Sequence, residues 1–196
     1  MDFDELIHRT LPNGTVMTYG AVMGNETIVF VKSGRGGDCY GHEDKYLRMA
    51  HRIRDGKGYT VICSPNPETE ETFEADEAMI REFVCRTAWD AFDLRLLGSS
   101  NGAYQILILA ERMPETRRVV CVNMPLMINF HKSAGMLSRL AHVDKVFVYG
   151  ERDQSAPYVP FLNNKRYPAY RLITVQGADH TFEGRTEDFV TLGDLA

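Results

Sequence analysis

Only four of the 196 residues are cysteine, and none of Cys39, Cys63, Cys85 and Cys121 pairs with another as C-x-x-C. A disulfide-framed secreted scaffold carries a far higher density of cysteine, and a zinc site needs a compact Cys/His ligand set that this spacing lacks. Cys63 and Cys121 fall inside apolar runs, so reduced, buried thiols are expected. Positive charge is also short: 22 Lys and Arg stand against 27 Asp and Glu, a formal net charge of -5. With no long basic cluster, nucleic acid is not expected as a partner. No apolar stretch is long enough to span a bilayer, so neither is a membrane. The first ten residues, MDFDELIHRT, lack the basic and apolar segments of a secretory leader, and a cytoplasmic location is expected. No repeat, linker or low-complexity stretch interrupts the chain, so residues 1–196 are read as a single domain.

The composition is that of a chain that folds. Hydrophobic residues make up 44% and charged residues 25%, ordinary values for a globular protein. A chain of this length buries roughly 70% of the surface it exposes when unfolded. Residues 6–11 and 15–23 flank Asn13-Gly14, and Gly24-Asn25 precedes the apolar run 27–31 (TIVFV). Both dipeptides favour the positive φ of tight turns, so two hairpins are predicted. Strand-like and helix-like runs then alternate. Helices are predicted over 42–54, 69–88, 101–113 and 133–140, with shorter ones over 157–163 and 183–192. Strands are predicted over 59–63, 93–97, 118–122, 145–149 and 170–175. Antiparallel hairpins followed by strand–helix units predict a three-layer α/β/α sandwich around a mostly parallel sheet. The strand runs are almost wholly apolar, as strands covered on both faces require.

The most informative feature is Gly98-Ser99-Ser100-Asn101-Gly102. A G-x-S-x-G string alone is weak, but this one lies between a predicted strand, DLRLL, and a predicted helix, NGAYQILILAERM. Strand, sharp turn and helix are what a nucleophile elbow requires. Small residues two before and two after the serine let strand and helix approach closely. Gly98 and Gly102 hold those positions around Ser100, not around Ser99. Two more polar loops follow apolar strands: Gly150-Glu151-Arg152-Asp153-Gln154-Ser155-Ala156-Pro157 and Gln176-Gly177-Ala178-Asp179-His180-Thr181-Phe182. Reactive groups in open sheets sit beyond the carboxyl ends of parallel strands, where Ser100, Asp153 and His180 would all lie.

In the order Ser, Asp, His, with the elbow and both loops, the chain resembles the α/β-hydrolase superfamily from about residue 15 to its end. The resemblance implies that Ser100 is the nucleophile, His180 the base and Asp153 the acid. A serine hydroxyl is a weak nucleophile near neutral pH and needs a base to take its proton. The aspartate orients the imidazole and stabilises its charged form. Glu151 and Asp179 are rivals of Asp153; Asp179 directly precedes His180, so its side chain is expected to point elsewhere. The oxyanion needs two backbone N–H donors. Asn101, directly after the nucleophile, supplies one. The family often places His-Gly-x after the strand that precedes the first crossover, and Ser33-Gly34-Arg35 occupies that place here. Arg35 is therefore the implied second donor, with Gly34 and Gly36 as alternatives. His42, Glu43 and Asp44 open a predicted helix, where the carboxylates suit its N-terminus better than a metal. No metal and no cofactor are expected.

Residues 124–132 stand where many members of the superfamily carry a lid and are too few for one, so a fold without a lid domain and an open site are expected. Residues 123–130 (NMPLMINF) either line an apolar pocket or pack below the sheet edge. The implied partner is a small-molecule acyl substrate. The implied activity is carboxylic-ester hydrolysis through an acyl-enzyme intermediate. A thioesterase or small peptidase with the same residues, or a non-catalytic binding protein on the same fold, are the other readings.

Overall fold

The computed structural model describes residues 1–68, 72–163 and 170–196, and all side chains among them except those of 129–133, 161 and 163. Strands β1 (Glu5–Thr10), β2 (Val16–Val22), β3 (Asn25–Lys32), β4 (Tyr59–Ser64), β5 (Asp93–Ser99), β6 (Thr116–Val122), β7 (Asp144–Gly150) and β8 (Arg171–Val175) form one sheet. Its eight strands run in the order β1-β2-β4-β3-β5-β6-β7-β8. The first predicted hairpin is present, with Glu5 opposite Ala21 and Thr10 opposite Val16. The second is not. β3 pairs in parallel with β4 and β5, and β4 lies between β3 and β2. Gly24 explains the difference: a Cβ there would fall 2.4 Å from the Gly58 carbonyl oxygen. The turn is packed against the chain entering β4, which takes the place a hairpin partner would have had.

Alternation along the strands loads both faces. Ile28 and Phe30 of β3 join one apolar cluster, and Val29 and Val31 join the other. Likewise, Val119 and Cys121 of β6 point one way, and Val120 and Val122 the other. Residue-by-residue alternation is the geometry of an extended chain, and two apolar faces explain why the strands read as continuous hydrophobic runs. Helices α2 (Phe73–Thr87), α3 (Asn101–Arg112) and α4 (Leu126–Arg139) bury Ile80, Phe83, Ile106, Leu107 and Leu137 in the first cluster. On the opposite face α1 (Lys45–Lys57) and α5 (Thr186–Thr191) bury Met49, Ile53 and Phe189 in the second. The result is the predicted three-layer sandwich.

Three helix boundaries differ from expectation. Helix α1 starts at Lys45, because His42–Asp44 is a separate 3-10 turn with Glu43 at φ 54°. Helix α2 starts at Phe73; residues 69–71 of the predicted helix lie outside the described residues. Helix α4 starts at Leu126 rather than at residue 133. Pro125 explains that early start: it precedes the first turn, where a missing N–H costs nothing. The segment too short for a lid thus forms, from Leu126 on, the first turns of a helix at the sheet edge.

Candidate active site

The parallel strands all deliver their last residues to one edge, and four polar loops meet there. Strand β5 ends at Ser99, and Ser100 turns the chain into α3 with φ 54° and ψ -124°. A side chain rarely occupies that region, so the backbone there is strained. Its neighbours hold it in place. The Ser100 amide donates to the Val122 carbonyl at 2.8 Å, and the Ser100 carbonyl accepts from Ala103 at 3.0 Å. Both flanking glycines are sterically required. A Cβ at Gly98 would lie 2.6 Å from the Gly102 carbonyl oxygen, and one at Gly102 would lie 2.2 Å from that of Ser33.

The loops after β7 and β8 bring up the other two groups. Ser100 Oγ is 2.8 Å from His180 Nε2, and His180 Nδ1 is 2.5 Å from Asp153 Oδ2. A carboxylate only accepts, so Nδ1 carries the proton and Nε2 is left to accept from the serine hydroxyl. The Asp153 side chain is fully buried, and its second oxygen accepts from the Ser155 amide at 2.7 Å. The bond to Asp153 is the main reason the His180 pKa rises above its ordinary value; burial opposes the rise.

The two rivals of Asp153 have other partners. Glu151 accepts from the Gly177 amide at 2.7 Å. Asp179 accepts from the amides of Thr181 and Glu183 at 3.0 and 3.1 Å, and these backbone donors help hold its carboxyl below the usual range. Both carboxylates brace the histidine loop through its backbone amides, and the Asp179 charge adds to the rise in the His180 pKa. Gly150 lets the two loops touch, since a Cβ there would fall 2.5 Å from the Ala178 carbonyl oxygen.

Arg35, Ser100, Asn101 and His180 all line one cleft of about 710 Å³, a size typical of small-ligand sites. Among the described residues the Arg35 amide has no hydrogen-bond acceptor, whereas the Gly36 amide donates to the Asn66 carbonyl at 2.7 Å. Of the three candidate donors, Gly36 is thus already engaged. Residues 123–130 divide between their two predicted roles. Met124 and Leu126 are buried in the core, while Pro125, Met127 and Ile128 line the cleft; the side chains of 129 and 130 lie outside the described ones.

Sequence reasoning missed Asn123. It is fully buried at φ 49° after β6. Its Nδ2 donates to the carbonyls of Asp179 and His180 at 3.1 and 2.9 Å, and its Oδ1 accepts from the Gly150 amide at 2.8 Å. One side chain thereby ties the aspartate loop to the histidine loop. The available signal was an asparagine closing an apolar strand on this edge, since Asn tolerates positive φ. Ser155, Gln154 and Thr181 also line the cleft unannounced. Among the described residues, no group of three or more His, Cys, Asp or Glu is placed to hold a metal.

No protein-family model matches the chain. No curated protein matches its sequence. Solved structures do match in fold. An alpha-beta serine hydrolase homologue from Coxiella burnetii superposes with a TM-score of 0.72 at 16% identity, covering 100% of this chain and 99% of the other. The esterase domain of a Rhodothermus marinus protein gives 0.69 at 14% identity, over 97% and 95% of the two chains. Est1E from Butyrivibrio proteoclasticus gives 0.66 at 14% identity, over 97% and 96%.

Proposed function

On the α/β-hydrolase fold that this chain adopts, we propose a serine hydrolase that cleaves a carboxylic ester through an acyl-enzyme intermediate. The observation that carries the reading is the unbroken line from Ser100 Oγ through the imidazole of His180 to the buried carboxylate of Asp153. Ser100 Oγ attacks the ester carbonyl carbon as His180 Nε2 takes its proton. The carbonyl oxygen becomes an anion facing the amides of Asn101 and Arg35. Its collapse breaks the bond to the alkoxy oxygen, which leaves as alcohol with the proton from His180. Water then attacks the acyl-serine by the same route, releasing the acid and restoring the hydroxyl. Asp153 stabilises the imidazolium in both halves without itself taking a proton. One preorganised oxyanion donor contributes about 3–4 kcal/mol to such a step.

The substrate is a small acyl compound. Met127 and Ile128 give the cleft an apolar wall, and both are well exposed. Among the described residues no helix is long and apolar enough to cross a membrane. The four cysteines are free, three of them buried, which suits a reducing compartment such as the cytoplasm.

The test is hydrolysis of p-nitrophenyl acetate and butyrate by the wild type and Ser100→Ala, with fluorophosphonate labelling in parallel. Turnover and labelling that both vanish with Ser100 support the reading. A wild type that neither turns over nor labels overturns it in favour of a binding protein. Preference for thioesters or aminoacyl amides over the matching oxygen esters would move the substrate class, not the mechanism.

A further inference from the structure

Beneath the serine lies a buried polar network with a definite direction. It begins at Lys32, the last residue of β3, whose side chain has no exposure. Its ammonium lies 2.7 Å from Asp76 Oδ2 and donates to Thr72 Oγ1 and the Pro65 carbonyl, both at 2.6 Å. Burying an ion pair is costly, and such a pair is weak evidence for stability by itself. Its consequence here is orientation.

An ammonium can only donate, so the Thr72 hydroxyl accepts from Lys32 and turns its own proton outward. Two acceptors face that proton, Gln105 Oε1 at 3.0 Å and the more distant Asp76 Oδ2 at 3.4 Å, and the nearer is Gln105. The Gln105 amide nitrogen must then face away, and it donates to Asn66 Oδ1 and Asn101 Oδ1, both at 2.9 Å. With its oxygen so engaged, Asn66 presents its nitrogen to the Ser33 carbonyl at 3.0 Å and to Asn101 Oδ1 at 3.2 Å. Backbone bonds tighten the same joint. The Asn66 amide donates to the Gly37 carbonyl at 2.8 Å, and its carbonyl accepts from Gly36 at 2.7 Å. The network therefore grips both segments that offer amides to the cleft: the Ser33–Gly37 loop on one side and Asn101 on the other. The Lys32–Asp76 pair at its head favours one orientation for the amides of Gln105 and Asn66.

We propose that Lys32, Thr72, Gln105 and Asn66 are positioning residues, a polarised relay that fixes the spacing of the two oxyanion-binding amides. This rests on the serine hydrolase reading above. A cluster of this kind that served stability alone would set the fraction folded and leave each folded site at full speed. A positioning relay sets the rate per site.

Fluorophosphonate titration counts competent serines, so kcat can be stated per site. Two near-isosteric changes break the relay at separate links. Gln105→Glu keeps the acceptor for Thr72 and loses both donors; Thr72→Val removes the hydroxyl, and Thr72→Ser restores it. The relay predicts that kcat per site falls about 10- to 100-fold in Gln105→Glu and in Thr72→Val, the scale of a misplaced catalytic geometry. KM should stay within about threefold and Thr72→Ser should recover the rate, because the loss is confined to the transition state. Inhibition by butaneboronic acid, whose serine adduct is tetrahedral, weakens by the same factor as kcat. Unchanged kcat per site in the variants that fold, or a loss carried by KM with boronate affinity intact, overturns the relay while the serine hydrolase reading stands. Should Gln105→Glu fail to fold, the Thr72 pair decides alone. A wild type that takes no fluorophosphonate overturns both the reading and the relay built on it.

Discussion

The two ends of the parallel sheet use their charged pairs differently. At the amino ends, charged pairs stand in solvent: Arg117 with Asp93 at 2.9 Å, and Arg118 with Asp144 at 2.7 Å, with all four side chains at least one-third exposed. At the carboxyl ends, Lys32, Asp76, Asn123 and Asp153 are buried. Ser100 and Asn123 there hold positive φ. Exposed pairs contribute little to stability, whereas buried polar groups and strained backbone cost free energy wherever they are not fully partnered. The amino end is not free of such groups, since Lys145 is buried there with its ammonium met by the Leu140 and Val143 carbonyls and the buried Thr116 hydroxyl has no partner among the described residues, but its exposed charged pairs have small energetic consequence. The carboxyl end is arranged to hold a geometry, and it departs from the locally favoured conformation to do so.

The largest effect expected at the carboxyl end is at Ser100. Ser100→Gly removes the proposed nucleophile and relieves φ 54° at once. Ester hydrolysis should fall by at least about 10³-fold, the scale of losing a nucleophile. Thermal stability should rise by roughly 1 kcal/mol, the strain released less the extra freedom glycine gives the unfolded chain. Calorimetry beside a turnover assay reads both. A variant less stable than the wild type would mean that the serine turn stores no strain.

Next comes the buried carboxylate. Asp153→Asn should lower kcat about 10²- to 10⁴-fold by weakening control of the imidazole. It also changes the pH profile in a fixed direction. The hydrogen bond to Asp153 is the leading cause that raises the His180 pKa. In the proposed mechanism the base must be neutral to accept the serine proton, so wild-type kcat/KM should fall on the acid side below a pKa higher than that of a free imidazole. In Asp153→Asn that acid limb should move to lower pH. A limb that stays in place would assign the titration to another group.

A steric change at the same end is smaller. Gly102→Ala puts a Cβ within 2.2 Å of the Ser33 carbonyl oxygen, and backbone is there to meet it. Loss of about 1–3 kcal/mol is expected, as in other overpacked sites. Urea unfolding measures it. A neutral result would show that the Ser33 loop moves freely, against the rigidity argued for this end.

The contrast between the ends also governs what could be read from the sequence. The elbow was legible because its parts are adjacent: strand, glycine, serine, glycine and helix stand within a single run. Asp153 and His180 were legible because each follows an apolar strand, and strand order fixes the edge they reach. The place of β4 between β2 and β3 was not, since Asn13-Gly14 and Gly24-Asn25 look alike as turns. Only packing against Gly58 and Tyr59 separates them. Asn66 and Gln105 were invisible for a related reason. Apart from Asn101, one helical turn before Gln105, their side-chain partners are 33 to 39 residues away, and nothing local distinguishes a relay asparagine from a loop one. The start of α4 was lost to Pro125, which reads as a breaker but sits where a helix tolerates it.

The smallest expected effect belongs to the amino end and tests the contrast from the other side. Arg117→Gln breaks the pair with Asp93, in which both side chains are at least half exposed. Water and salt already screen that attraction, so stability should change by about 0.2–1 kcal/mol at most, and by less in high salt. Ester hydrolysis should not change, because Arg117 lies at the far end of β6 from the cleft and touches none of the four loops. Urea unfolding at two salt concentrations, with turnover measured alongside, checks both halves. A loss of several-fold in kcat from this position would show that strain travels along the strand from one end of the sheet to the other, and the division of labour between the ends would fail.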